Sequence, residues 1–168
     1  YAFKGCTGLI NITIPSKGTT ISTYLFYGSN NLESIELLGD VTEIRSKAFY
    51  GCSKLQTITI PSILSSIGSY AFSSCSSLQT ISIPPKVTTI ETSLFEWCDN
   101  LELIEITNNV DTISKRSFAS CTHLTTIIIN TNHIQHLDTI QTVRIPFKLK
   151  IQYLKDVKVS SLLKLKVI

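Results

Sequence analysis

At 168 residues, with 43% hydrophobic and only 16% charged side chains, the chain carries enough apolar material for a continuous buried core, which excludes a disordered chain. The net charge of +3 is unevenly spread: residues 1–140 hold 8 basic and 11 acidic side chains, whereas 141–168 hold 7 basic and 1 acidic. No run approaches the roughly 20 apolar residues that cross a bilayer, and because there is no methionine and the chain opens on YAFKGC, a piece of a longer protein is expected, with leaders and anchors left open at both ends.

The first element begins a pattern that the rest of the chain repeats. Phe3 recurs as Phe26, Phe49, Phe72, Phe95 and Phe118, a step of 23 residues each time. Leu9 recurs at the same step as Leu32, Leu55, Leu78, Leu101 and Leu124, and Ile12 as Ile35, Ile58, Ile81, Ile104 and Ile127. A fixed period of this size predicts a solenoid whose coils stack and share one core.

Each coil starts with a strand signal. In LQTITIP, Ile58 and Ile60 alternate with Thr57 and Thr59, a period of two in β-branched residues that predicts a half-buried strand. Pro61 ends it, because proline has no N–H for a ladder, and Pro15, Pro84 and Pro146 mark the same exit. The next stretch, Ser62 to Phe72, is expected to cross the far side in short strand-like or helical turns, dropping Leu64 and Ile67 inward before Phe72. About six large apolar side chains per coil, at roughly 1.5 to 3 kcal/mol each, offset the ordering of the coil only when neighbours cover both faces.

The regular period is expected over residues 1–137, with degenerate coils of the same solenoid over 138–168. There a strand signal returns early as Ile140, Val143, Ile145 and Pro146. In the coil after it Leu149, Val157 and Ser160 stand in the Val, Phe and Cys positions, and Leu162, Leu165 and Val167 rebuild a strand.

The units AFYGCSKLQTITIP and AFSSCSSLQTISIP resemble the BspA-like, or Treponema-type, leucine-rich repeat. The usual leucine-rich-repeat Asn or Cys past the strand is absent, its place taken by Lys17, Asp40, Ile63, Lys86 and Asn109. The resemblance implies a β-rich α/β solenoid: a right-handed superhelix with a parallel β-sheet on the concave face and short helical or strand-like turns on the convex side. It also implies surface-displayed or secreted proteins of bacteria and mucosal protists, some linked to adhesion to host matrix proteins or other microbes, with no shared catalytic residues.

Cys6, Cys52, Cys75, Cys98 and Cys121 occupy one repeat position, where Ser29 and Ser160 replace them elsewhere, which argues against catalysis. Buried free thiols packed beside Phe are expected, with disulfides between ladder neighbours and a metal as alternatives. His123, His133 and His136 resemble a sparse ligand set, but no Cys or carboxylate completes a zinc spacing, and exposed histidines are expected. Nucleophile-elbow, phosphate-loop and H-E-x-x-H motifs are absent, so neither catalysis nor a cofactor is expected. The basic end, Arg144 to Lys166, reads as a solvated rim, with an acidic polysaccharide, a membrane surface or nucleic acid as other partners.

That leaves the strands' outward positions as the candidate binding surface. One column runs Asn11, Ser34, Thr57, Thr80, Leu103, Thr126, Thr142, Lys164, and the other Thr13, Glu36, Thr59, Ser82, Glu105, Ile128, Arg144, Lys166, with Leu103 and Ile128 forming a small apolar patch. Exposed strand positions favour Thr and Ser in any case, so it is the face rather than any single residue that is expected to meet a protein or glycan ligand. Asn11-Ile12-Thr13 is also a glycosylation sequon, awkwardly placed on a strand. An intracellular scaffold or architectural protein is the alternative function, and ice binding by the hydroxyl ladder a remoter one that Glu36, Glu105 and Leu103 interrupt.

Overall fold

The structure is a computed structural model that describes residues 2–15, 17–106, 110–129 and 150–153. Over most of that length each coil contributes one long and one very short strand. The long strands are β1 (Asn11–Ile14), β3 (Ser34–Leu37), β5 (Thr57–Thr59), β7 (Thr80–Ile83), β9 (Leu103–Ile106), β11 (Thr126–Ile129) and β12 (Lys150–Tyr153). The short ones are β2 (Thr20–Ile21), β4 (Glu43–Ile44), β6 (Ser66–Ile67), β8 (Thr89–Ile90) and β10 (Thr112–Ile113). All ladders are parallel, and along the regular coils the register is the 23-residue step itself, with Ile12 opposite Ile35, Ile35 opposite Ile58, and Ile104 opposite Ile127. The result is a parallel-strand solenoid.

The far side corrects one expectation: among the described residues there is no helix, so the fold is a β-solenoid and not α/β. Backbone conformation gives the reason. Each turn carries two left-handed residues four apart: Tyr24 and Gly28, Lys47 and Gly51, Tyr70 and Ser74, Ser93 and Trp97, Arg116 and Ser120. Such residues interrupt any run of right-handed helical dihedrals and split the donors into two sets. Leu25, Tyr27 and Ser29 N–H groups close tight turns on Ser22, Tyr24 and Phe26 carbonyls at 3.0 to 3.2 Å, while the intervening Phe26 and Gly28 N–H groups reach Ala48 and Tyr50 carbonyls of the next coil at 2.8 Å. The turns therefore form a third ladder, and backbone polar groups are paired along the stack.

The repeated apolar positions make the core. Phe26, Phe49, Phe72, Phe95 and Phe118 are fully buried, and with Phe3 their rings stack at 5.2 to 5.9 Å and within 6° of parallel. Leu32, Leu55, Leu78, Leu101 and Leu124, the Val41 and Val87 positions, and Ile44, Ile67 and Ile90 fill the space between this stack and the strands. Phe3, Leu9, Ile12 and Ile14 of the first coil are only partly buried against it.

One step in the stack differs. The long sheet divides into β1-β3-β5 and β7-β9-β11-β12, and the short one into β2-β4-β6 and β8-β10, both between the same two coils. Ile58 and Ile60 beside this step are half-buried where Ile35, Leu37, Ile81 and Ile83 are buried. β5 also ends one residue short of its neighbours, since Pro61 lacks the N–H that Leu38 donates to Ile14 in the equivalent place at 3.0 Å. The turn ladder crosses the step unbroken, through Phe49 N–H to Ala71 and Phe72 N–H to Leu94 carbonyls.

Ile140, Val143, Ile145, Pro146, Leu149, Val157, Ser160, Leu162, Leu165 and Val167 of the degenerate coils lie outside the described residues. On the side away from β9, β11 pairs with β12, with Lys150 opposite Thr126 and Gln152 opposite Ile128. Those are the register positions expected for Thr142 and Arg144; the alternation in KIQY matches the repeat's x-I-x-I strand, which puts Ile151 opposite Ile127.

Candidate functional site

Alternation in the long strands decides which side chains face outward. Inward Ile and Leu anchor each strand, so the residues between them share the opposite face at the coil repeat. Asn11, Thr13, Glu36, Thr57, Thr59, Thr80 and Ser82 are exposed, and Ser34, Leu103, Glu105, Thr126 and Ile128 are half-buried. Within each part of the sheet the columns lie in register, Asn11 beside Ser34 and Ser34 beside Thr57, Thr13 beside Glu36 and Glu36 beside Thr59, and Thr80 beside Leu103, and they part between Thr57 and Thr80 with the ladder. At the N-terminal end the columns bond along themselves: Ser34 Oγ donates to Asn11 Oδ1 at 2.6 Å and Thr13 Oγ1 to Glu36 Oε2 at 3.4 Å. The sequon asparagine thus already has a partner.

Register puts Thr126 beside Leu103 and Glu105 beside Ile128, as the two columns require, so Leu103 and Ile128 are diagonal neighbours on one face. Among the described residues, the large apolar side chains that are exposed are Ile10, Leu38 and Trp97, all elsewhere. Thr142, Arg144, Lys164 and Lys166 lie outside the described residues, as do His133 and His136. His123 is exposed, with Nδ1 2.6 Å from the Asp99 carbonyl oxygen.

The cysteines are free thiols, with Cys52, Cys75, Cys98 and Cys121 buried and Cys6 half-buried. Each buried thiol donates to the carbonyl of the phenylalanine 26 residues earlier: Cys52 to Phe26 and Cys75 to Phe49 at 3.2 Å, Cys98 to Phe72 and Cys121 to Phe95 at 3.0 Å. Ser29 Oγ makes the same bond to the Phe3 carbonyl at 2.6 Å, which explains the exchange of Ser for Cys. Burial pushes the Cys52 and Cys121 thiols up to about 12, and those of Cys75 and Cys98 well above their ordinary range, so none offers a thiolate at neutral pH.

The turn side carries an arrangement that core-position reasoning missed. Tyr24, Tyr27, Tyr50 and Tyr70, which are all the tyrosines whose side chains are described, lie on it. Tyr27 and Tyr50 stack at 4.9 Å and 7°, and Tyr24 meets Tyr27 edge-on at 5.5 Å. Lys4 Nζ sits 5.2 Å from the Tyr27 ring and 6.0 Å from that of Tyr24, and Lys47 Nζ 5.7 Å from Tyr24 and 5.3 Å from Tyr70. The signal was present in the chain, for Lys4, Tyr27 and Tyr50 share one repeat position and Tyr24, Lys47 and Tyr70 another. Farther along, the same positions hold Glu96 and Arg116, joined in an ion pair whose carboxylate is buried and whose guanidinium is exposed. Trp97, 53% exposed, stands left-handed at φ 65° where other coils place Gly28, Gly51, Ser74 and Ser120.

Comparison with known proteins places the fold. The family model for the BspA type leucine rich repeat region matches in six copies, over residues 1–71 and 42–141. A leucine-rich repeat protein from Eubacterium ventriosum is similar at 32% identity and a TM-score of 0.67, over 72% of this chain and 32% of its own, so the chain spans about a third of that protein's length. A leucine rich cell surface protein from Faecalibacterium prausnitzii aligns at 27% identity and a TM-score of 0.57, over 74% of this chain and 39% of its own. The leucine rich repeat protein of T. pallidum shares the fold at 24% identity and a TM-score of 0.69, over 85% of this chain and 73% of its own. No curated protein matches. With the family model covering most of its length and the same 23-residue coil stacked along the regular part of the described residues, the chain belongs to the BspA-type leucine-rich repeat family.

Proposed function

We propose that this protein is a non-enzymatic interaction module, part of a cell-surface or secreted adhesin-like protein, which binds an extended protein or glycan across the open face of its long-strand sheet. The reading rests on one observation above the rest: Thr57 and Thr59 at the edge of one part of the long-strand sheet, and Thr80 and Ser82 at the facing edge of the other, stand exposed at the same repeat positions. A rigid sheet presents such side chains at low entropic cost to a partner, and an open repetitive surface suits a chain better than a small molecule. We take this face to be the concave one. The name of the Faecalibacterium relative, a cell surface protein, supports the location. Among the described residues no helix is long and apolar enough to cross a membrane.

An array of extracellular matrix proteins and mucosal glycans tests the reading. A ligand is expected whose affinity drops about tenfold in Thr57→Lys with Thr80→Lys, a loss of the size that central interface positions carry. The proposal fails if the array binds nothing, or if the double variant binds as the parent does.

A further inference from the structure

We propose that the step between the coil of β5 and β6 and the coil of β7 and β8 is a hinge. The two halves of the solenoid rotate against each other about the turn edge, and the motion opens and closes the sheet face between Thr57 and Thr80. No ligand is needed for this, so its failure would leave the reading of the sheet face untouched.

At the neighbouring boundaries, adjacent coils are tied on three sides. On the long-strand side the Gln56 N–H reaches the Glu33 carbonyl, and the Glu102 N–H the Gln79 carbonyl, both at 2.9 Å. On the short-strand side Ser65 donates to Thr42, Asp111 to Thr88, Gly68 to Ile44 and Ser114 to Ile90, all at 2.8 Å. At the step these places are held by Gln79, Thr88 and Glu91, and among the described residues none of the three corresponding bonds is made. Nor do β5 and β7, or β6 and β8, form a ladder.

The third side stays fastened. Lys47, Phe49 and Gly51 N–H groups reach the Ser69, Ala71 and Ser73 carbonyls at 3.1, 2.9 and 2.9 Å, and the Cys75 thiol crosses the same step to the Phe49 carbonyl at 3.2 Å. The Phe49 and Phe72 rings are 5.2 Å apart, the closest spacing in the described phenylalanine stack. Coils joined along one edge can part at the other two without breaking the bonds of that edge, which is the geometry of a hinge. Apolar contact on the strand side resists the motion, and β5 is thinly covered there. Its Ile58 and Ile60 are half-buried, as are Ile12 and Ile14 of the first coil, which the described residues cover from one side.

At the neighbouring boundaries the same rotation would have to break both strand ladders together, so bending concentrates at the step. Thr57 and Thr59 stand on one side of it and Thr80 and Ser82 on the other. Rotation therefore changes the spacing between the two parts of the sheet face, and a partner spanning both would shift the balance of open and closed forms by preferring one spacing.

Spin-label pairs in the whole chain, with Cys6→Ser to remove the half-buried thiol, test the motion by electron paramagnetic resonance in frozen solution. Thr13→Cys with Thr59→Cys lies within one part of the sheet, Glu36→Cys with Ser82→Cys spans the step, and Lys54→Cys with Asn100→Cys spans it on the turn edge; all six positions are exposed and each pair is two coils apart. The Glu36 and Ser82 pair is expected to give a distance distribution about twofold wider than the Thr13 and Thr59 pair, reaching to longer distances, and the Lys54 and Asn100 pair a narrow one. Hydrogen exchange in the unsubstituted protein is the second measurement. Amides of Gln79, Thr88 and Glu91 are expected to be protected at least about tenfold less than those of Glu102, Asp111 and Ser114, with Phe49 and Gly51 as protected as Phe72 and Ser74. Equal widths in the two sheet-face pairs, a turn-edge pair as wide as the Glu36 and Ser82 pair, or protection of Gln79, Thr88 and Glu91 equal to that of their counterparts would each overturn the hinge.

Discussion

At residue scale the cysteine position shows how a repeat turns a reactive group into a structural one. The Cys75 thiol donates to the Phe49 carbonyl and fills the space beside the phenylalanine stack. Its folded value is raised by burial while the unfolded thiol titrates at about 8.5, so the folded state holds the proton more tightly. The stability from neutral buried thiols is therefore complete below about pH 8.5 and is lost as pH rises through the folded values, up to about 12 for Cys52 and Cys121. Urea midpoints are expected to hold from pH 7 to about pH 8.5 and then to fall toward pH 10, with stability lost at up to about 1.4 kcal/mol per pH unit per thiol, and to fall less in Cys75→Ser, which keeps the donor as Ser29 does. Iodoacetamide at pH 8 should spare the four buried thiols in the folded protein and label all five in urea; labelling at Cys52 or Cys98 without urea would contradict their burial.

At the scale of the element, the coil is decided as much by its turns as by its strands. With two left-handed residues four apart in each turn, every second turn amide reaches the next coil, and this ladder remains continuous where both strand ladders part, between β5 and β7 and between β6 and β8. How closely coils approach is set in one place by Gly68, at the end of β6. A Cβ there would lie 2.5 Å from the Ser46 backbone nitrogen and 2.9 Å from the Arg45 carbonyl carbon. Backbone cannot give way as a side-chain tip can, so Gly68→Ala is expected to destabilise by about 1 to 3 kcal/mol, read as a lower urea midpoint. An unchanged midpoint would mean that the coils separate there at little cost.

For the molecule as a whole, each coil is stable only through its neighbours. Phe72 has a ring above and below it, at 5.2 and 5.7 Å, while Phe3 stacks on Phe26 at 5.3 Å and is partly exposed. Phe72→Ala is therefore expected to cost about 3 to 5 kcal/mol, in the range for a fully buried ring, and Phe3→Ala less than half as much. Equilibrium urea unfolding of the two variants checks this, and equal losses would rule out the nearest-neighbour account of the stack.

The sequence by itself determined the repeat, its 23-residue register and the whole set of core positions, because each side chain there recurs at a fixed step and must face the same environment. Outward strand positions such as Thr57 and Thr80 were legible for the same reason, since period two assigns them once Ile58 and Ile81 point inward. Only the tertiary structure decided that the far side holds short strands and left-handed turns instead of helix, because those dihedrals answer to amides of the adjacent coil rather than to local propensity. It alone gathered Lys4, Tyr24, Lys47 and Tyr70. Residues far apart in the chain become neighbours there through stacking, and spacing tells which coils they share but not which rings and charges meet.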